Sequence, residues 1–247
     1  MLDKTKVRES FSRGARDYDK NAVLQKQLAD ELLAGVQALT PRTILDIGCG
    51  TGYLADRLAG KFPRADVFGI DTAVGMIRTA EKKYRRPNLN FLVGDGEEIN
   101  FNAGIFDLIV SNASFQWMDA GKVFPEAARV SRPGGDFIFQ TFGPGTLREL
   151  KAAGFRVNTF PSLAEIEALL RDKFGEVSLK SKIVPQLFRN AREIILHLYE
   201  IGAETAAKER ARDFDIFKAF SEYKRRYGSA EGVAASYEVI SGHYKKH

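Results

Sequence analysis

The 247 residues have an ordinary globular composition, with 44% hydrophobic and 28% charged residues, and the chain is long enough to bury one sizeable core. The net charge of +5 is compatible with an acidic partner. Because lysine and arginine are spread along the whole chain, we expect most of them on solvated helix faces and consider a nucleic-acid partner unlikely. A small acidic protein is at least as compatible with this charge.

The first residues do not have the pattern of a signal peptide. Met1 to Lys6 carries charges without an apolar stretch of the signal-peptide kind, and no apolar run approaches the ~18 residues of a membrane span. The single cysteine, Cys49, cannot form an intrachain disulfide. We therefore expect a cytoplasmic protein without a membrane partner, folded as one domain over 1–247.

Residues 1–40 carry two helical patterns ahead of the predicted sheet. The first pattern places four residues at the spacing of one helix face: Val7, Phe11, Ala15 and Tyr18. The second runs from Ala22 to Leu39, and Pro41 ends it.

From residue 41 to 145, short apolar runs alternate with helical patterns. We predict strands at 43–47, 65–70, 89–93, 105–110 and 135–142, and helices at 52–61, 73–85 and 121–131. This alternation is typical of a doubly wound α/β fold with a mostly parallel sheet.

Residues 146–247 are predicted to supply the remaining strands and a helical lid. Ser162 and Glu165 have the spacing of a capping box at the start of a helix over 162–173. The remaining elements are a strand over 177–187 interrupted near Pro185, helices at 190–205 and 213–226, and a strand over 233–243. The two helices between the last two strands are expected to cover the crevice together with the N-terminal helices.

Three carboxylates follow three successive predicted strands. Asp46 precedes the loop Gly48-Cys49-Gly50-Thr51-Gly52, Asp71 closes the second apolar run and Asp95 closes the third. Ligands of open α/β sheets bind outside the carboxyl ends of the strands, so these acids should converge on one crevice.

The charges of this crevice indicate its ligand. The loop is neither G-x-G-x-x-G nor followed by Gly-Lys-Ser/Thr, and Asp46 beside it disfavours a phosphate and suits a cation. Asp71, about 20 residues beyond the loop, can accept both hydroxyls of a ribose, and Asp95 can accept from an adenine amino group. A cationic adenosine compound without phosphates would suit all three acids, and S-adenosylmethionine is such a compound. The other interpretations are a nicotinamide dehydrogenase, or the same fold without a ligand.

From about Thr43 to Thr141 the sequence resembles the class I S-adenosylmethionine-dependent methyltransferases. The matching stretches are Leu45 to Gly52, Gly69-Ile70-Asp71, Gly94-Asp95, Phe106 to Asn112, and Arg132-Pro133-Gly134-Gly135 before Phe137-Ile138-Phe139. The resemblance implies a Rossmann-like sheet and a cofactor site that joins the three acids to further residues: Gly48, Cys49, Gly50, Thr72, Met76, Gly96 and Asn112. We expect Gly48 and Gly50 where the backbone passes close to the methionine part of the cofactor, without room for a Cβ, and the backbone of Cys49 rather than its thiol to face the ligand.

The histidines indicate the type of methyl acceptor. An amine or hydroxyl acceptor needs a base, whereas a carboxylate is ionised at neutral pH and needs none. His197, His243 and His247 all lie in the predicted lid or tail, away from the core motifs, which favours an acidic acceptor. His243 and His247 also have the helical spacing of metal ligands, but without a third ligand we expect no metal.

Residues 11–25 closely resemble the start of the malonyl-acyl-carrier-protein O-methyltransferases of biotin synthesis, with Phe11, Ala15, Tyr18-Asp19, Ala22 and Leu24-Gln25 at the family's spacings. Further matches lie along the chain: Ser111-Asn112-Ala113, Gln116-Trp117, Gly145-Thr146-Leu147, Glu149-Leu150 and Ile201-Gly202-Ala203. The resemblance implies that the free carboxylate of a malonyl thioester on acyl carrier protein, or on coenzyme A, is methylated without a general base. It also implies a positioning role for Tyr18, and the positive net charge suits the acidic carrier of that family.

Two other functions remain open. Asn112-Ala113-Ser114-Phe115-Gln116-Trp117 is similar to a stretch of the trans-aconitate methyltransferases, whose N-termini resemble residues 11–25 less. A protein that modifies or binds nucleic acid on the same fold is disfavoured because no Asn-Pro-Pro-Tyr-type motif follows the fourth strand.

Overall fold

The computed structural model describes residues 3–37, 39–171, 173–174, 177–201, 203 and 215–247. Its helices are α1 Lys4–Gly14, α2 Tyr18–Asn21, α3 Val23–Gly35, α4 Tyr53–Lys61, α5 Val74–Lys83, α6 Ala120–Val130, α7 Arg148–Ala152, α8 Leu163–Arg171, α9 Ala191–Glu200 and α10 Ile216–Tyr227. Its strands are β1 Thr43–Ile47, β2 Asp66–Asp71, β3 Leu89–Val93, β4 Phe106–Asn112, β5 Ser131–Phe142, β6 Val177–Phe188, β7 Gly228–Ser229 and β8 Gly232–Lys245.

The strands form one sheet in the order β3-β2-β1-β4-β5-β8-β6, and the short β7 pairs with β8. Strands β1 to β5 are parallel, and β8 runs antiparallel to both of its long neighbours. The order reverses at β1, with β2 on one side and β4 on the other, which is the point where doubly wound sheets bind ligands. The predicted α/β fold with a mostly parallel sheet is confirmed.

The register brings the predicted acids to one edge of the sheet. Asp46 lies opposite Gly69 and Val110 in the neighbouring strands, and Asp71 lies opposite Val93, two residues before Asp95. The two faces of the sheet are covered by helices over separate apolar clusters, so the central strands β1 and β4 are buried on both sides. The site is therefore built on a fixed frame.

The N-terminal helices differ from the prediction. There are three helices instead of two. The predicted first helix is divided, because α1 ends at Gly14 and Tyr18 begins the separate helix α2. The next helix, α3, ends at Gly35 and not at Leu39. Periodicity alone does not reveal these breaks, because the apolar spacing continues across the turn at 15–17.

The C-terminal part confirms one detail and corrects another. The capping box is present, with the Ser162 backbone N–H donating to the Glu165 carboxylate at 2.7 Å and the Glu165 N–H donating to the Ser162 hydroxyl at 3.3 Å. The predicted interruption near Pro185 is wrong, since β6 runs through it and Pro185 pairs with Ser236. As an edge strand, β6 tolerates a residue without a backbone N–H.

Helices α9 and α10 lie between β6 and β8 in the chain, where a lid was predicted, and their covering role stays a prediction. Residue 202 and residues 204–214, which include the predicted end of the 190–205 helix and the start of the 213–226 helix, lie outside the described residues. Helix α7 was not predicted at all. No described helix has the length and apolar character needed to cross a lipid bilayer.

Candidate active site

The carboxyl ends of the parallel strands border two adjoining cavities of about 970 and 440 Å³. Nine predicted site residues line the larger one: Tyr18, Gly48, Gly50, Asp71, Thr72, Met76, Asp95, Gly96 and Asn112. The remaining two, Asp46 and Cys49, line the smaller one. The structure thus brings all the predicted site residues together, and their contacts with the cofactor stay a prediction.

Asp71 is the acid that organises the glycine loop. Its Oδ2 accepts the backbone N–H of Gly50 at 3.0 Å, and its Oδ1 accepts that of Ala73 at 2.8 Å. The Gly48 N–H donates to the Ile70 carbonyl of the same strand at 2.8 Å. Burial raises the pKa of Asp71, while the two N–H donors lower it. Each carboxylate oxygen keeps acceptor capacity for a ligand hydroxyl.

Asp46 is the buried acid of the site. Its side chain is at the end of β1, the residue is only 1% exposed, and Oδ2 has no hydrogen-bond partner among the described residues. Burial, and secondly the charge of Asp71, raise the pKa of Asp46 to about 8. A hydrogen bond from the Ala55 backbone N–H acts in the opposite direction and lowers this pKa. The Oδ1 of Asn112 is also buried, and none of the described residues hydrogen-bonds to it.

An unpaired buried polar group costs roughly 1–3 kcal/mol. A ligand that brings donors or a positive charge to this edge of the sheet would offset that cost at Asp46 and Asn112. These two unpaired acceptors therefore fit a cationic cofactor such as S-adenosylmethionine.

The loop glycines have two different reasons for lacking a side chain. Gly48 has φ +72°, and a Cβ there would lie 2.4 Å from the Cβ of Ser114, so the protein itself excludes one. Gly50 has φ +55°, and no atom of the described residues lies within 4 Å of an added Cβ. A larger residue at Gly50 would be strained because of the positive φ and not because of a steric clash with the protein. That the cofactor leaves no room for a side chain there stays a prediction.

Helix α1 contacts the end of the crevice that holds Asp95. Lys4 Nζ lies 2.6 Å from a carboxylate oxygen of Glu97 and 3.3 Å from Oδ2 of Asp95. Helices α1 and α5 touch so closely that a Cβ on Gly75 would lie 2.3 Å from the Ser12 carbonyl oxygen. The N-terminal helix is therefore held by two contacts, one with Asp95 and Glu97 after β3 and one with α5.

Two of the predicted residues, Tyr18 and Cys49, are not ionised nucleophiles or bases. Burial raises the pKa of the Tyr18 phenol well above its usual range, so it remains protonated. Burial likewise raises the pKa of the Cys49 thiol, and its Sγ would lie 2.9 Å from a Cβ on Gly69. The Cys49 side chain thus fills space over β2.

Sequence reasoning missed several lining residues: Lys4, Arg8, Ser114 and Met118. Ser114 lies two residues after the end of β4, and its hydroxyl donates to the Ile47 carbonyl at 3.0 Å. Because ligands bind at the carboxyl ends of the strands, its position in the sequence could have indicated it. Nothing in the sequence shows that Lys4 and Arg8 face the sheet, because that depends on how α1 packs. In the part of the chain that is described, no group of three His, Cys, Asp or Glu side chains could hold a metal ion.

The family model of a methyltransferase domain matches residues 44–135. The chain is 34% identical to the malonyl-[acyl-carrier protein] O-methyltransferase of Geobacter sulfurreducens, with 98% of each chain covered. It is 33% identical to the enzyme of that name from Methylococcus capsulatus, with 99% of this chain and 94% of the relative covered. The crystal structure of the YcgJ protein from Bacillus subtilis superposes with a TM-score of 0.63 at 18% identity, covering 90% of this chain and 98% of that one, which is a likeness of fold alone.

Proposed function

The chain belongs to the family of the malonyl-[acyl-carrier protein] O-methyltransferases, and we propose that it methylates the free carboxylate of a malonyl thioester on acyl carrier protein, an early step of biotin synthesis. It is an S-adenosylmethionine-dependent O-methyltransferase whose product is a methyl ester. The observation that carries the proposal is a similarity that extends over nearly the whole length of both chains. It includes the N-terminal helices and the C-terminal strands, which lie outside the 44–135 match.

The cofactor is S-adenosylmethionine, and the crevice offers a partner for each of its parts. Asp71 would hold the ribose hydroxyls, Asp95 the adenine, and Asp46 with the Gly48–Gly50 loop the cationic methionine end. When bound, the cofactor supplies a methyl group on a sulfonium, and its transfer to a carboxylate oxygen forms a C–O bond as the S–C bond breaks and the electron pair stays on sulfur. No proton moves in this balance.

The protein therefore contributes position and exclusion of water, not proton transfer. No histidine is found among the described residues that line the cavities at the strand ends. Phe11 and Trp117 meet edge to face, with ring centroids 5.5 Å apart, and both belong to the wall of the larger cavity. We propose that these rings and Tyr18 help to exclude water from the bound cofactor, which would strengthen the electrostatic interactions inside the site.

Methyl-labelled S-adenosylmethionine tests the acceptor. The full-length protein is incubated separately with malonyl-acyl carrier protein, malonyl-coenzyme A, trans-aconitate and RNA, with acetyl-acyl carrier protein as the control that lacks the carboxylate. We expect label in the malonyl thioesters, with a higher kcat/KM for the carrier-bound form, and none in the acetyl control. Efficient labelling of trans-aconitate or RNA, with every malonyl thioester ignored, would overturn the proposal.

A further inference from the structure

A third cavity, which we call the acceptor pocket, adjoins the cofactor crevice. It has a volume of about 490 Å³, and Phe11, Tyr18, Ala113 and Trp117 line both spaces. Its other walls come from β5, β8, α9 and the segment around Phe160, and include Phe142, Leu198 and Tyr237. A molecule in this pocket would therefore lie next to the strand ends without displacing the cofactor.

The acceptor pocket is uncharged but not wholly apolar. None of the described residues that line it carries a charge. Two of its side chains nevertheless hold buried polar atoms that have no hydrogen-bond partner within the described part of the chain, the hydroxyl of Tyr237 and Oε1 of Gln25. A buried tyrosine hydroxyl normally finds a partner, so an unpaired one in a cavity wall points to a ligand.

Tyr237 is held firmly and remains a donor. It lies in the middle of β8, is 3% exposed, and its ring centroid is 5.6 Å from that of Phe142 on the neighbouring strand. Burial, and secondly the charge of Glu149, raise the pKa of its phenol well above the usual range, so the O–H is protonated at neutral pH.

We infer that the acceptor pocket binds the acyl end of the acceptor and that the Tyr237 hydroxyl donates a hydrogen bond to the carboxylate that is methylated. This inference rests on the proposed function and adds a residue that determines specificity. One carboxylate oxygen is held by the phenol while the other is left to attack the methyl group. The phenol's proton stays on its oxygen throughout.

The described residues of the pocket include no cation, and this suits the proposed chemistry. A carboxylate and a sulfonium carry opposite charges that cancel as the methyl group moves. A weakly polar environment therefore stabilises the transition state relative to the charged reactants. A lysine or arginine beside the carboxylate would neutralise the nucleophile. A neutral hydroxyl orients the carboxylate and leaves its charge in place.

The test measures binding without turnover. Protein saturated with S-adenosylhomocysteine is titrated with malonyl-coenzyme A and, separately, with acetyl-coenzyme A, which lacks the carboxylate. In Tyr237→Phe the affinity for malonyl-coenzyme A should fall ~10-fold or more, the value of a charged hydrogen bond, while that for acetyl-coenzyme A is unchanged. Turnover with malonyl-acyl carrier protein should show a raised KM.

Tyr244→Phe is the matched control, because Tyr244 lies on the same strand, is fully buried, and has a hydroxyl with no partner among the residues described, but lines none of the three cavities. It should bind both thioesters as the unmodified protein does. Equal affinities for malonyl-coenzyme A in the two variants would overturn the inference. Failure of the unmodified protein to methylate any malonyl thioester would instead overturn the proposed function.

Discussion

Gly50 donates its backbone N–H to Oδ2 of Asp71 over 3.0 Å, so the glycine loop after β1 and the acid that ends β2 are joined to each other. Asp71, which we propose holds the ribose, therefore also fixes the glycine loop, which we propose lies beside the methionine part of the cofactor. A change at either residue should affect both parts of the cofactor.

Replacement of Gly50 tests whether the loop lies against the cofactor. Gly50→Ala should weaken S-adenosylmethionine binding strongly and leave the protein folded, because a Cβ there meets no protein atom within 4 Å. Gly104→Ala is the control, since Gly104 also has a positive φ, +70°, and open space but lies outside the site. Calorimetric titration of the three proteins measures the effect. If both variants bind equally well, the loop is only a turn.

Removal of the Asp71 carboxylate tests the ribose contact. Asp71→Ala should weaken S-adenosylmethionine binding at least ~10-fold, since a hydrogen bond to a charged group contributes about 1.5–3 kcal/mol. Asp95→Ala should have a smaller effect, because neighbouring backbone groups can still hold the adenine. Asp136→Ala, which removes an acid paired with His243 at 2.7 Å, serves as the control and should leave the affinity unchanged. An unaltered affinity in Asp71→Ala would exclude Asp71 from the site.

The elevated pKa of Asp46, about 8, predicts a pH dependence. An unfolded aspartate titrates near ~3.9, so between these values the folded protein binds a proton that the unfolded chain does not. The contribution of Asp46 to the free energy of unfolding therefore falls as pH rises through this range and is constant above it. Thermal or urea denaturation of the ligand-free protein and of Asp46→Asn, compared from pH 5 to 9, measures the difference.

The same acid predicts that cofactor binding releases a proton. A cation beside Asp46 favours the carboxylate, so binding below the pKa of about 8 expels its proton. Calorimetry in buffers of different ionisation enthalpy counts the protons released, and Asp46→Asn should release fewer. Asp71 and the amine of the ligand contribute equally in both titrations. Equal proton release by the two proteins would therefore show that Asp46 does not lose a proton when the cofactor binds.

The close approach of α1 and α5 predicts that a small substitution opens the crevice. In Gly75→Ala the new Cβ would lie 2.3 Å from the Ser12 carbonyl oxygen, so α1 has to move away from α5. Cofactor affinity should fall and limited proteolysis should cut α1 faster. Gly35→Ala, at a helical glycine with nothing within 4 Å, is the control and should behave as the unmodified protein. Normal binding by Gly75→Ala would mean that α1 does not form part of the site.

The strand ends could be predicted from the sequence, and the covering helices could not. Asp46, Asp71 and Asp95 follow apolar runs whose local pattern fixes the strands, and parallel pairing then brings the three acids to one edge. The break between Gly14 and Tyr18, and the side of α1 that faces the crevice, depend on packing against α5, which no local pattern records. For the same reason the pairing of Lys4 with Asp95, 91 residues apart, was not foreseen.

The acceptor pocket lay beyond sequence reasoning for a related cause. Tyr237 is one of two tyrosines on the alternating strand β8, and the other, Tyr244, is buried as well. Only the positions of Phe160, Leu198 and Trp117 from distant segments decide which of the two faces a cavity.

The chemical nature of the methylated carrier protein tests the central claim most directly. Malonyl-acyl carrier protein is incubated with methyl-labelled S-adenosylmethionine, the protein is re-isolated, and mild alkali is applied. A methyl ester of the malonyl carboxylate releases the label as volatile methanol, and we expect all of the incorporated label to behave in this way. Label that survives alkali, or a carrier protein that stays unlabelled while trans-aconitate is methylated, would contradict the account.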